Sequence, residues 1–341
     1  MRTIYWKNGA IEILDQSKLP RSVKYVRLNT LEEVVEAVRT MRVRGAPLIG
    51  VAAAFGLALV TTKSEAKSLR SLLKEIGDAA AILRSTRPTG SNLHWALKRL
   101  TDAAGKAKSV EELKRLITEE AIRMAEEDVK TNLELAEQGS RLIEDGDVIL
   151  THCNTGLGTV EHGTAIGVVK TAFRKGKKVS VIATETRPQL QGARLTTFEL
   201  KLEGIPFKLI TDGMVGFVMA NGAVSKVIVG ADRVLRDGHV INKIGTYPIA
   251  VLAKAHSIPF YVAAPLSTFD LKSKLKGVKI EFRDQKEVLA IGGRRIAYEG
   301  TEALNPAFDV TPPNYVTAIV TEKEIVYPPY EESVPSLFRK R

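Results

Sequence analysis

Cysteine is nearly absent: Cys153 is the only one, which excludes an intramolecular disulfide framework and any multi-cysteine zinc or iron–sulfur site. No apolar run is long enough to cross a bilayer, since the longest, Ala46–Val60, counts 15 residues against the ~20 required. The opening Met1-Arg-Thr-Ile-Tyr-Trp-Lys-Asn-Gly9 lacks the apolar core of a signal peptide, so a cytoplasmic protein with no membrane partner is expected. Low-complexity tracts and repeats of 20–50 residues are also missing. Charge is plentiful but unclustered. Fifty lysines and arginines face 39 acids, a net charge of +11, yet the basic residues are dispersed among acids, and the only terminal cluster is Arg339-Lys340-Arg341. Nucleic acid is therefore not expected as a partner; a basic surface that attracts small anionic substrates is.

What is present is ordinary globular composition, 44 % apolar and 26 % charged over 341 residues. At roughly 150 residues per domain, that length predicts two domains. Ile4–Trp6 and Ile11–Leu14 flank Asn8-Gly9, a hairpin signal because both turn residues tolerate positive φ. Thr30-Leu-Glu-Glu33 reads as a capping box opening a helix to about Val43. A buried Ala-rich helix is expected over Leu48–Thr61, followed by helices over about Ser64–Leu83 and Asn92–Ala104. Ser109-Val-Glu-Glu112 caps another helical pattern that runs to about Glu144, long enough to be broken or to join two domains.

Beyond Asp145-Gly-Asp147 the pattern changes. Short β-branched runs begin at Val148, Val179, Phe207, Lys226 and Phe260. These spacings suit crossover connections and are too long for hairpins, which indicates a parallel sheet covered on both faces. The expected architecture is α/β: a mainly helical N-terminal domain with a small β-hairpin over residues 1–115, a connecting helix over 116–145, and a doubly wound, Rossmann-like parallel-sheet domain over 146–341.

In such a sheet ligands bind beyond the carboxyl ends of the strands. Four strand ends carry polar groups: Thr151-His-Cys-Asn154, Thr184-Glu-Thr-Arg187, Thr211-Asp-Gly213 and Gly230-Ala-Asp-Arg233. Gly156-x-Gly158 is followed by Glu161 where a dinucleotide fingerprint needs glycine, and no GxxxxGK[ST] loop occurs. Alone, Cys153 reads first as a buried small hydrophobe, and Asp232 can be a simple loop-entry ion pair. At strand ends, they are also candidates for a reactive thiol and a desolvated acid. His152 is a poor base for its neighbour because adjacent strand residues point to opposite faces. The set His152, His162 and His239 lacks a metal-ligand spacing. Arg44-Gly-Ala-Pro47 and Arg87-Pro-Thr89 each precede a helix, a geometry that suits phosphate.

Taken in order, Arg44-Gly-Ala-Pro-Leu-Ile-Gly50, Arg87-Pro-Thr-Gly-Ser-Asn-Leu93, Thr151-His-Cys-Asn-Thr-Gly156 and Glu185-Thr-Arg-Pro-Gln-Leu-Gln-Gly-Ala-Arg194 resemble the methylthioribose-1-phosphate isomerase family. Gly230–Arg233, Asn242–Tyr247 and Asn305–Pro312 continue the match over nearly the whole chain. The wider group includes ribose-1,5-bisphosphate isomerases and regulatory subunits of a translation-initiation exchange factor. The resemblance implies an aldose–ketose isomerisation of 5-methylthio-α-D-ribose 1-phosphate in methionine salvage, by a homodimer, with a sugar phosphate as the small-molecule partner and neither cofactor nor metal. Cys153 and Asp232 would be the catalytic pair. Arg44, Gly45, Ala46, Arg87, Gln191, Asn242 and Lys243 would bind substrate, with the two arginines chiefly on phosphate. A ribose-1,5-bisphosphate isomerase and a non-catalytic exchange-factor-like protein are the alternatives.

Overall fold

In the computed structural model, which describes residues 1–87 and 90–339, the chain divides into two compact units. One comprises Met1–Leu133 with Leu157–Gly163; the other comprises Glu134–Gly156 and the chain from Thr164 onward.

The first unit opens with a three-stranded antiparallel sheet, β1 (Ile4–Lys7), β2 (Ala10–Leu14) and β3 (Tyr25–Leu28), in that order. The β1–β2 hairpin turns at Asn8 and Gly9 with φ of 49° and 68°, the positive values its turn demands. The third strand was not expected. It buries only Leu28 fully, so it leaves no alternating apolar signal. Helix α1 (Leu31–Arg39) begins with the expected capping box, Thr30 accepting from the Glu33 N–H. It ends at Thr40 rather than near Val43, because Met41 turns to a φ of 61°.

Helix α2 (Ala46–Lys63) starts one residue beyond Gly45 and extends the 15-residue apolar run to 18 residues, so that, contrary to the expectation from the run alone, it is long and apolar enough to cross a membrane by length and composition. It is 72 % buried within the protein and forms the centre of the core, with Leu48, Phe55, Leu57 and Leu59 inaccessible. Around it pack α3 (Leu69–Thr86), α4 (Ser91–Ala104) and α5 (Val110–Ser140). The third helix starts at Leu69, not Ser64, because Ser64 closes α2 while Ser68 caps α3 through the Ser71 N–H. The fifth is one unbroken helix of 31 residues, capped by Ser109 through the Glu112 N–H, and the division between the units falls within it. Pro88 and Thr89, in the loop expected to present Arg87, lie outside the described residues.

The second unit is a seven-stranded sheet. Its strands in chain order are β4 (Val148–Thr151), β5 (Ser180–Thr184), β6 (Phe207–Ile210) and β7 (Lys226–Val229), interleaved with α6 (Ala165–Arg174), α7 (Thr197–Leu202) and α8 (Val215–Ala220). A side sheet takes β8 (Arg233–Leu235) and β9 (Val240–Lys243), after which α9 (Thr246–Ala255) leads to β10 (Phe260–Ala263). Then come β11 (Phe269–Asp270), α10 (Lys286–Leu289), a hairpin of β12 (Ala290–Ile291) and β13 (Arg294–Arg295), β14 (Phe308–Thr311), β15 (Ala318–Val320), β16 (Ile325–Val326) and α11 (Tyr330–Ser336).

The main order is β16-β15-β10-β7-β4-β5-β6, parallel throughout except at β16. All five β-branched runs anticipated in the sequence lie in it. Alternation covers both faces. Leu150, Val227, Val229 and Val262 pack with α8, α9 and α11, while Ile149, Ile228, Tyr261 and Ala263 pack with α6 and Leu200 of α7. The α/β, Rossmann-like class expected from the sequence is thus the fold.

Candidate active site

Counted within this unit, the strands lie in the order 7-6-5-4-1-2-3, so the direction of winding reverses between β4 and β7. At such a switch point the two adjoining loops part and leave a crevice beyond the strand ends. Cys153 follows β4 by two residues and Asp232 follows β7 by three. The two strands are hydrogen-bonded neighbours; Thr151 of β4 donates its hydroxyl to the Ile228 carbonyl of β7 at 2.8 Å.

The thiol sits on a fixed backbone. Cys153 is half-buried and has φ of 69°, a left-handed conformation that is costly for a side-chain-bearing residue and concentrates at functional sites. Its N–H donates to Thr186 Oγ1 at 2.9 Å, and its carbonyl accepts from the Thr196 hydroxyl at 2.6 Å. Gln191 Nε2 approaches the sulfur at 3.3 Å. Thr186, itself at φ 63°, is held by Asp212, whose carboxylate accepts from the Thr186 and Arg187 N–H groups at 2.9 and 2.7 Å. The loop beyond the thiol is held by Thr155: its carbonyl accepts from the Thr164 N–H at 2.7 Å, and its hydroxyl accepts from Ile166. Gly156 lies against the Glu199 carboxylate so closely that a Cβ there would fall 1.6 Å from Oε2. Glu199 is in turn paired with Lys170 at 2.9 Å, and both are almost wholly buried.

His152 serves structure, as its neighbouring position implied. Its Nδ1 meets Thr184 Oγ1 at 2.6 Å and its Nε2 meets the Ile244 carbonyl at 2.8 Å. Burial holds its pKa below the ordinary value, so the ring stays neutral.

Asp232 donates its N–H to the Ile241 carbonyl, and the antiparallel β8–β9 register pairs Arg233 with Ile241. One step along, Asp232 faces Asn242. On the other side of β9, Asn242 pairs with Asp309 of β14. Asp232, Asn242 and Asp309 thus occupy one row across neighbouring chains. Asn242 Nδ2 donates to Thr246 at 3.0 Å, and Lys243 Nζ donates to the Ala307 carbonyl at 2.8 Å while lying over the Phe308 ring. Asp309 caps α9 by accepting from the Gly245 and Tyr247 N–H groups. Burial outweighs those bonds and lifts its carboxyl to about 6.

The remaining sequence candidates lie in the first unit. Arg44 is buried. Gly45 has φ of 96° and precedes α2; a Cβ there would meet the Gly158 backbone at 2.2 Å, and the Leu48 N–H donates to Gly158 O. Ala46 is the first residue of α2. Gly50, one turn later, lies against Asn92 in the first turn of α4, where a Cβ would be 3.0 Å from the Asn92 carbonyl. The N-terminal turns of α2 and α4 are therefore neighbours, and Arg87 lies shortly before α4. Neighbouring helix N-termini favour an anion, and Arg44 and Arg87 each stand shortly before one of them in the chain.

A family model described as the Initiation factor 2 subunit family matches residues 42–328. The chain belongs to that family. A relative from Thermosipho africanus named methylthioribose-1-phosphate isomerase is 48 % identical over 340 residues, 99 % of this chain and 98 % of the relative. The crystal structure of 5-methylthioribose 1-phosphate isomerase from Pyrococcus horikoshii OT3 is 44 % identical, with a TM-score of 0.92 over 99 % of this chain and 95 % of that one. Another, named translation initiation factor eIF-2B, subunit delta, from A. fulgidus, is 49 % identical with a TM-score of 0.88 over 99 % of both chains.

Within this member of the family, several groups that shape the site were not singled out from sequence. Thr186 and Thr196 hold the thiol's backbone, Asp212 holds Thr186, and Asp309 anchors the turn carrying Asn242 and Lys243. Asp212 and Asp309 lie within quoted strand-end or motif segments, so their position was visible; the backbone donors they serve were not.

Proposed function

We propose that this protein is an aldose–ketose isomerase that converts 5-methylthio-α-D-ribose 1-phosphate to 5-methylthio-D-ribulose 1-phosphate in methionine salvage, acting in the cytoplasm. The observation that carries this reading is the placement of Cys153 and Asp232 beyond β4 and β7, the two strands that flank the switch point. The names of the Thermosipho africanus and Pyrococcus horikoshii relatives support it.

The substrate's anomeric oxygen carries the phosphate, so its ring cannot open by loss of a hydroxyl proton. In our reading Asp232, in its acid form, gives a proton to the ring oxygen as the bond from that oxygen to C1 breaks. Hydrogen then moves from C2 to C1. The O2 proton returns to Asp232 as C2 becomes the ketone, leaving the carboxyl as it began. Cys153 acts at the C1–C2 pair, taking the C2 proton in an enediol route or stabilising the transition state of a hydride shift. Deuterium placed at C2 distinguishes the two: retention at C1 marks the shift, and loss to solvent marks the enediol. Arg44 and Arg87, with the Gly45-Ala46 peptide, bind phosphate. Gln191, Asn242 and Lys243 bind the sugar.

The name of the A. fulgidus structure supports a second reading, a regulatory subunit without catalysis. That role has no use for a thiol at positive φ held by two threonines and a glutamine. Turnover of methylthioribose 1-phosphate, compared with ribose 1,5-bisphosphate, tests the proposal. A higher kcat/KM for the former supports it; no turnover, or preference for the bisphosphate, overturns it. We also take the working form to be a homodimer, supported by the exposed apolar residues Leu202, Leu209, Met214 and Phe217 on the edge strand β6 and the segments flanking it in the chain; a monomer by light scattering at micromolar concentration would refute this.

A further inference from the structure

Asn154, the residue after the thiol, is more than nine-tenths buried, and neither its Oδ1 nor its Nδ2 has a hydrogen-bond partner among the described residues. A buried carboxamide stripped of water and left unpaired is a net cost to the fold. Loop looseness does not account for it. Cys153 before it is tied at both N–H and C=O by Thr186 and Thr196, and Thr155 after it is tied to Thr164 and Ile166. The backbone is built to hold this side chain where it is.

A third unsatisfied atom belongs to a side chain that touches the Cys153 sulfur. Gln191 is fully buried, its Nε2 approaches Cys153 Sγ at 3.3 Å, and its Oε1 accepts from nothing among the described residues. Gln191 against the thiol and Asn154, next to it in the chain, together leave two acceptors and one donor group unmet. A phosphate dianion offers acceptors only and cannot answer the two carbonyl oxygens. A thioether offers neither donors nor strong acceptors. A sugar hydroxyl both donates and accepts, which is the requirement here.

We propose that Asn154 is a substrate-specificity residue whose carboxamide binds the sugar's hydroxyl groups beside Cys153. This deepens the isomerase reading and rests on it for the identity of the sugar. The site is paid for in the ligand-free state and satisfied on binding, so stability and affinity should move in opposite directions when the amide is removed.

The test uses the full-length protein and two variants, Asn154→Leu and, should leucine disturb folding, Asn154→Ala. Binding is measured by calorimetry with 5-methylthioribose 1-phosphate and, separately, with inorganic phosphate. The expected result is at least a tenfold rise in Kd for the sugar phosphate, about 1.4 kcal/mol, with the Kd for inorganic phosphate unchanged within twofold. Unchanged sugar-phosphate affinity, or an equal loss for both probes, overturns the proposal. Thermal unfolding without ligand gives an independent reading: Asn154→Leu should unfold at or above the wild-type temperature, and a clearly lower temperature would show that the amide has a structural partner. A wild-type protein that binds methylthioribose 1-phosphate without turning it over would refute the isomerase reading while leaving the role of Asn154 intact. Failure to bind it at all would leave the decision to the unfolding comparison.

Discussion

Replacing Gly156 by alanine places a methyl group 1.6 Å from Glu199 Oε2 and 2.1 Å from its Cδ, an overlap of about 2 Å relative to van der Waals contact. Something must move. If Glu199 moves, it leaves Lys170, which is 2 % exposed and bonded to it at 2.9 Å; breaking one side of such a buried pair costs about 3–5 kcal/mol. If the loop moves instead, it loses hydrogen bonds that fix Cys153 and Thr155, at about 1 kcal/mol each. Two such bonds total about 2 kcal/mol, so the loop should yield before the ion pair. The thiol, three residues upstream, would then be displaced by about 1 Å, which costs on the order of 100-fold in rate. Gly156→Ala should therefore lower kcat about 100-fold and lower the denaturation midpoint by an amount corresponding to about 2 kcal/mol. Because Cys153 is the only cysteine, its alkylation by iodoacetamide reports the same displacement without any substrate. Gly77→Ala is the control: nothing lies within 4 Å of its added methyl, and in mid-helix it should be neutral or stabilising. A Gly156→Ala protein with wild-type kcat and wild-type alkylation rate would refute the claim that Glu199 shapes the thiol loop.

Further outcomes are expected. Asp232→Asn should fold and bind substrate while losing about 10²–10⁴-fold in kcat, because an amide cannot deliver the proton; full activity would remove the acid role. Cys153→Ser should lower kcat strongly with little change in substrate affinity, and an unchanged kcat would refute a role in the transition state. Arg44→Ala should act mainly on KM through lost phosphate contacts, and an unchanged KM would remove it from that subsite. Asp128 is half-buried, accepts from the Val160 N–H at 2.8 Å, and is lifted by desolvation to about 6, with Arg2 as the opposing charge. A folded pKa above the unfolded one means that stability is lost as pH rises from about 4 to 6, by at most about 3 kcal/mol. Asp128→Asn escapes that loss, so it should be more stable than wild type above pH 6, with the advantage fading below pH 4; an advantage confined to low pH would contradict this sign.

Much of the architecture was legible because its signals are long and periodic. The five buried strands of the main sheet stand out as continuous β-branched runs at crossover spacing, and Thr30–Glu33 announces α1. The side sheet of β8, β9, β11 and β14 was not read: its strands run two to four residues and carry polar groups such as Arg233, Asn242 and Asp309. Helix ends slipped where a cap overrode the apolar pattern, at Thr40 and Ser68. The candidate site shows the same division. Cys153 and Asp232 are visible as candidates at strand ends, but which two ends adjoin the switch point depends on strand order, a nonlocal property. Asn154 carries no signal in the sequence because an asparagine in a loop is ordinary; only its burial without partners among the described residues distinguishes it.

The proposed chemistry requires the thiol and the acid to act on one bound sugar. Alkylation of Cys153 in the Asp232→Asn protein, followed with and without saturating methylthioribose 1-phosphate, measures this without turnover. Substrate should slow alkylation at least tenfold, and the same phosphate ester bound with no protection of Cys153 would contradict it.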